Sequence, residues 1–190
     1  MDWTLPGTVL TTPREDAPFI DHHFRTMFLA GGVVLSQVSA ITGLEVYTVQ
    51  NWVKRGFLPP PEQKRYNLNQ LCRIITINLL KRTLPMEQIC GLLSYINGHL
   101  DDTSDDIIDD SKLYFMFVKI AATAPSLRDP SEADETIQTA LESYEEPFPG
   151  AKERVAKVLK VMLVAWVAAK LHEAAEKMIA ELQIAVYRAL

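Results

Sequence analysis

Cysteine is scarce in this 190-residue chain. Cys72 and Cys90 are its only two, too few for a disulfide framework or a cysteine-based zinc set. Four histidines, His22, His23, His99 and His172, stand at no metal-ligand spacing with them. Long apolar runs are also missing: the longest, residues 161–169, has nine residues, against the roughly 20 that a membrane span needs. The opening Met-Asp-Trp is not a basic stretch followed by an apolar one, so no signal peptide is expected. The expected compartment is a reducing cytoplasm. Nor is there a basic excess, since 19 Lys and Arg face 24 Asp and Glu for a net charge of -5. That excludes a histone-like protein. No enzyme motif, internal repeat or low-complexity tract is visible, and neither a cofactor nor a metal is expected.

What is present is an ordinary globular composition, 48% apolar and 23% charged in 21.4 kDa, enough for one well-buried domain or a small domain with an appendage. The charge is uneven. Residues 1–100 carry nine basic and seven acidic side chains, and residues 101–190 carry ten and seventeen. Within 54–82, Lys54, Arg55, Lys64, Arg65, Arg73, Lys81 and Arg82 are opposed only by Glu62. A local positive field in an acidic protein points to an anionic partner, although a solvated helical face gives the same count.

Residues 1–18, with three prolines and little periodicity, read as an extended arm. A short helix is expected over 19–30, with Phe19, Phe24, Phe28 and Leu29 as its apolar stripe and Gly31-Gly32 as its end. Leu35, Val38 and Ile41 then fall on a helix that Gly43 stops. Leu44 bridges to a second helix carrying Val49, Trp52 and Val53, ended by Gly56. Pro59-Pro60-Pro61 enforces an extended segment. Asn67 with Gln70 three residues later is a capping-box signature for a helix over 68–82, and Pro85 opens the next one, with Ile89, Leu92, Leu93 and Ile96 buried. Helices are further expected from the acidic run to Ala122 and near 135–144. Residues 151–190 contain no Pro or Gly, and forty helical residues would extend roughly 60 Å.

Two short helices about a glycine turn, followed by a Pro-rich segment with a basic tip, match a winged helix-turn-helix. The second helix would present Tyr47, Thr48, Gln50, Asn51 and Lys54, while Lys64, Arg65 and Tyr66 form the wing tip. Gln and Asn suit adenine, Thr meets a thymine methyl, and Lys and Arg neutralise phosphates. Solvent-facing helix residues would leave the same pattern.

Residues 34–97 resemble the DNA-binding domain of MerR-type bacterial regulators. The likeness lies in Val38 to Leu44, in the stretch from Thr48 to Pro60, in the Arg65-Tyr66 wing and in the start of the next helix at Leu84 to Ile89. It implies groove contacts from Tyr47, Thr48 and Gln50, phosphate contacts from Lys54 and Arg55, and wing contacts from Lys64, Arg65 and Tyr66. Two positions depart from the family pattern: Gln50 stands where Arg is usual, and Glu45 where Ser or Thr caps the helix. Together with Leu92 to Asn97 and Asp101 to Asp109, the stretch is also similar to an uncharacterised, mostly Firmicutes family known as a domain of unknown function. That second family supplies no biochemical role; it is the MerR-type resemblance which implies a bacterial, double-stranded DNA-binding transcriptional regulator. The alternative is a protein-interaction module whose helix-turn-helix no longer binds DNA.

The expected fold is therefore all-α: an arm over 1–18, a MerR-like winged helix-turn-helix over 19–100 with a small β wing, and a helical region over 101–190 ending in a long helix. Val155, Leu159, Met162, Trp166 and Ala169 make that helix apolar on nearly every face, so it must cross the core or be covered by a second subunit. The family resemblance favours a homodimer through these residues, as a helical-bundle interface, since the heptad is poor and residues 170–177 turn polar. A pocket for a small-molecule effector is expected between Phe115, Phe117 and Trp166. The six carboxylates of 101–110 fall in two i, i+4 sets if helical, which suggests a cation or acid–base site. Helix capping, solvation and pairing with a base such as Arg82 are simpler uses.

Overall fold

The computed structural model describes residues 2–100, 102, 104–123 and 133–188, with side chains described as far as residue 182. The chain is mostly helical, with two small antiparallel β-pairs and a long C-terminal helix. Its elements are β1 (Asp2–Thr4), β2 (Thr11–Pro13), a 3-10 turn (Arg14–Phe19), α1 (Ile20–Met27), β3 (Val33–Val34), α2 (Leu35–Thr42), α3 (Val46–Lys54), β4 (Arg65–Tyr66), α4 (Leu68–Leu80), α5 (Met86–Asn97), α6 (Asp110–Thr123), α7 (Ala133–Ala140) and α8 (Ala151–Arg188).

The centre of the molecule is α4. Its capping box forms: Gln70 N donates to Asn67 Oδ1, and Asn67 N donates to Gln70 Oε1, both at 2.9 Å. Every residue from Gln70 to Ile77 is buried, because α2, α5, α6 and α8 all pack around this helix. A helix buried on all sides has no need of a polar face. One apolar core runs unbroken from Trp3 to Ala165, so residues before and after position 100 share it.

The N-terminal segment is not an extended arm. β1 pairs with β2 in the register Asp2 to Pro13 and Thr4 to Thr11, and Trp3 and Leu5 are buried. Tyr114 of α6, itself fully buried, donates its hydroxyl to Pro6 O at 3.0 Å. Asn78 of α4 donates to both Gly7 O (2.8 Å) and Thr42 O (2.9 Å). Gly7 has φ +75°, and a Cβ there would lie 2.4 Å from the carbonyl oxygen of Ile75, so only glycine lets the loop approach α4 this closely. In α1, Ile20 and Phe24 are the buried residues, whereas Phe19 and Leu29 are 62% and 84% exposed. Of the expected stripe, Phe24 is buried and Phe28 half-buried.

Candidate functional site

The order α2, Gly43 turn, α3, β4 is assembled locally. Gly43 adopts φ 70° and donates its N–H to Ser39 O, closing α2 in the left-handed cap that glycine favours. Ser39 Oγ donates to Leu44 O at 2.6 Å, and Leu44 N donates to Thr42 Oγ1. These bonds use the polar groups of the turn within the turn and hold α3 at a set angle to α2. Glu45 is the N-cap of α3 but makes no capping bond through its side chain.

Val49 and Trp52 anchor α3. Its outer face carries Tyr47 (71% exposed), Gln50, Asn51 and Lys54, all exposed, and Thr48, half-exposed. Arg55 follows, exposed, with its guanidinium 4.7 Å from the centre of the Phe57 ring. β3 pairs with β4 through Val33 to Tyr66 and Val34 to Arg65, and the tip Gln63-Lys64 turns back with φ 47° and 64°. Arg65 Nη1 donates to Gly32 O at 2.9 Å, so part of its guanidinium is spent on the β-pair.

Tyr66, expected as a wing contact, is 2% exposed and belongs to the core. Strand alternation explains this: with Arg65 turned to solvent, the next side chain must point inward. Gln50 of α3 and Lys64 of the tip, far apart in sequence, line one groove of about 550 Å³ with Leu35, Val53 and Pro61.

Of the five residues expected to dimerise, four are already used and Trp166 is half-buried. Val155, Leu159 and Met162 are fully buried and Ala169 is 6% exposed, because α4, α5, α6 and α7 cover that face of α8. The expected effector pocket is likewise filled. Phe117 is fully buried with its ring edge-on to Trp166 at 6.3 Å, and Phe115 faces elsewhere, edge-on to Phe24 at 5.6 Å.

The acidic run does not form two helical rows, since α6 begins only at Asp110. Asp101 and Thr103 lie outside the described residues. Asp102 accepts from Ser104 N and Oγ, and Asp105 accepts from His99 N. Asp110 pairs with Arg73 at 3.4 Å, while Arg82 pairs with Glu173 of α8. Burial, together with the neighbouring carboxylates of Asp110 and Asp105, pushes the Asp106 carboxyl up to about 6. No metal-holding group of His, Cys, Asp and Glu occurs among the described residues. Cys72 is buried and Cys90 half-buried, and burial raises both thiols.

One feature of α8 escaped the sequence reading. Val161, Val164, Ala168, Leu171, Ala175, Met178 and Leu182 alternate at three- and four-residue spacing and are all exposed. The signal was present, but the buried residues interleaved with its first half made the heptad look poor. No helix among the described residues is long and apolar enough to cross a membrane.

Residues 33–117, less than half of the chain, match a family described as "Domain of unknown function (DUF1836)". The chain is similar to "Uncharacterized protein YkrK" of Bacillus subtilis (strain 168), with 25% identity over 118 residues, which is 60% of this chain and 51% of that protein. It thus spans about half the length of that relative. No solved structure matches the chain.

Proposed function

We propose that the chain is a sequence-specific, double-stranded DNA-binding transcriptional regulator of MerR-like, winged helix-turn-helix type, acting without enzymatic chemistry. The observation that carries this reading is the convergence of Gln50 from α3 and Lys64 from the β tip on one groove. Exposed Tyr47, Asn51, Lys54 and Arg55 extend the same helix face and its end. Amides that read adenine, beside cations that meet phosphates, are what a helix in a major groove needs.

The regulator works as a homodimer through the exposed seam Val161, Val164, Leu171, Met178 and Leu182. Twenty-two residues from 161 to 182 extend about 33 Å, and a heptad seam is complementary to its own copy. Two copies would bring two α3 helices to one palindrome.

The test is selection from random duplex DNA at two salt concentrations, with a Lys64→Ala/Arg65→Ala control. Enrichment of a palindrome, weakened by salt and by the double substitution, is the expected result. Absence of any duplex binding at low salt would refute it. The second reading, a protein-interaction module, draws support from the apolar lining of the same groove by Leu35, Val53 and Pro61. It predicts no enrichment and an unaltered chain in the control.

A further inference from the structure

A second cleft, also about 550 Å³, lies between the 4–9 loop, the α2–α3 turn at 42–44, the end of α4 and the α8 face from Trp166 to Lys177. Lys81, Arg82, Lys170 and Lys177 line it, with Glu173 as the one carboxylate among its described lining residues. Glu173 is shared: Arg82 donates to Oε1, and Lys170 Nζ donates to Oε2 at 3.0 Å. Lys81 stands with its ammonium 5.6 Å from the Trp52 ring centre. Four cations and one anion leave the cleft about three charges positive, a local field that draws in an anion.

We propose that this cleft binds a small organic molecule carrying at least two negative charges, held by Lys170, Lys177, Arg82 and Lys81 with its body against the half-buried Trp166. The size argues for an organic body, since small-molecule sites run from roughly 300 to 1,000 Å³ and a bare phosphate would leave such a cleft mostly empty. Burial and the crowding of Arg82 and Lys177 hold the Lys170 ammonium below the usual lysine range, and burial with Arg82 does so for Lys81. Cations crowded in this way are relieved by an incoming anion.

The cleft does not compete with the dimer seam. On a helix turning 100° per residue, Trp166, Lys170, Glu173 and Lys177 lie opposite Val164, Leu171, Ala175 and Met178. Gly43, exposed between the buried Thr42 and Leu44, forms one wall, so an occupant touches the turn that aims α3. The inference stands on its own geometry and does not need the chain to bind DNA.

The test is calorimetric titration of the full chain with pyrophosphate, citrate and ATP in separate arms, without metal, at low and at about 0.2 M salt. Expected is binding of ATP or citrate with a Kd below about 1 mM, tighter than that of pyrophosphate, weakened by salt. Lys170→Glu/Lys177→Glu should weaken it by roughly tenfold or more, while Lys112→Ala/Lys119→Ala on α6 leaves it unchanged. Glu173→Gln should tighten it several-fold, a gain that misfolding cannot imitate. No heat in any arm, or equal affinity in Lys170→Glu/Lys177→Glu, overturns the proposal. So does displacement of the bound probe by a short duplex together with an equal loss of duplex binding in that variant, because the cluster would then be nucleic-acid surface.

Discussion

Arg73 of α4 donates through Nη1 to Asp110 Oδ2, at the first residue of α6, over 3.4 Å, with both side chains largely out of water. Arg73 Nε also reaches Phe57 O at 3.5 Å, just beyond α3. One guanidinium therefore joins the segment just beyond α3 to the C-terminal helices. Burial raises the Asp110 carboxyl and Arg73 opposes that rise, so the pair survives on mutual neutralisation. Replacing Arg73 with Met should cost about 3 kcal/mol in urea unfolding, since it strands a buried carboxylate. Arg73→Met/Asp110→Leu should recover most of that loss. A cost below about 1 kcal/mol for the single change would show that the pair is not what holds α6 to α4.

Asp106 gives the chain a pH dependence of defined sign. Its folded-state value, about 6, lies above the ordinary carboxylate value. Its contribution to stability is therefore fully present below about pH 4 and is lost as pH rises through about 6. Asp106→Asn should stabilise the protein at pH 7 by on the order of 1 kcal/mol, after allowance for solvent screening at this half-exposed site. The gain should vanish near pH 4. Urea midpoints that differ by the same amount at both pH values would contradict this.

Lys64 sits in the left-handed region at φ 64°, where a residue with a Cβ is strained by roughly 1 kcal/mol. Lys64→Gly should raise stability by about that amount. If the DNA reading holds, the same change should lower the salt dependence of duplex affinity by about one phosphate contact. Stability and DNA affinity then move in opposite directions, an outcome that general unfolding cannot produce.

The seam on α8 is open to a direct test. Leu171 and Met178 are 68% and 65% exposed, so Leu171→Glu/Met178→Glu disturbs nothing inside one chain. Light scattering should report a dimer for the native protein and a monomer for the variant, with unchanged helix content by circular dichroism. A native monomer at high micromolar concentration would rule the seam out as an interface.

Several elements are legible in the sequence, because their causes are local. The Asn67–Gln70 box, the Gly43 stop and the Pro-free 151–190 stretch each depend on residues within a few positions of one another. The N-terminal hairpin was not legible, since strands of three residues are too short to show a period. The inward side of Tyr66 is not legible, because the pairing of β3 with β4, which sets its side of the strand, joins residues 33 and 66. The 101–110 carboxylates read as helical rows because nothing local in the sequence fixes the start of α6 at Asp110.

Composition and local pattern by themselves determined a helical chain with a helix–glycine–helix unit, a basic stretch beside it and a long final helix. Tertiary structure alone decided which apolar face of α8 goes where. Val155, Leu159 and Met162 are buried by this chain's own α4, α5, α6 and α7, while Leu171, Met178 and Leu182 run past them into water. The physical reason is that apolar side chains look alike in sequence whether they meet a neighbouring helix of the same chain or of another. Only the positions of those neighbours separate core from interface, and only they gather Lys81, Arg82, Lys170 and Lys177 around one cleft.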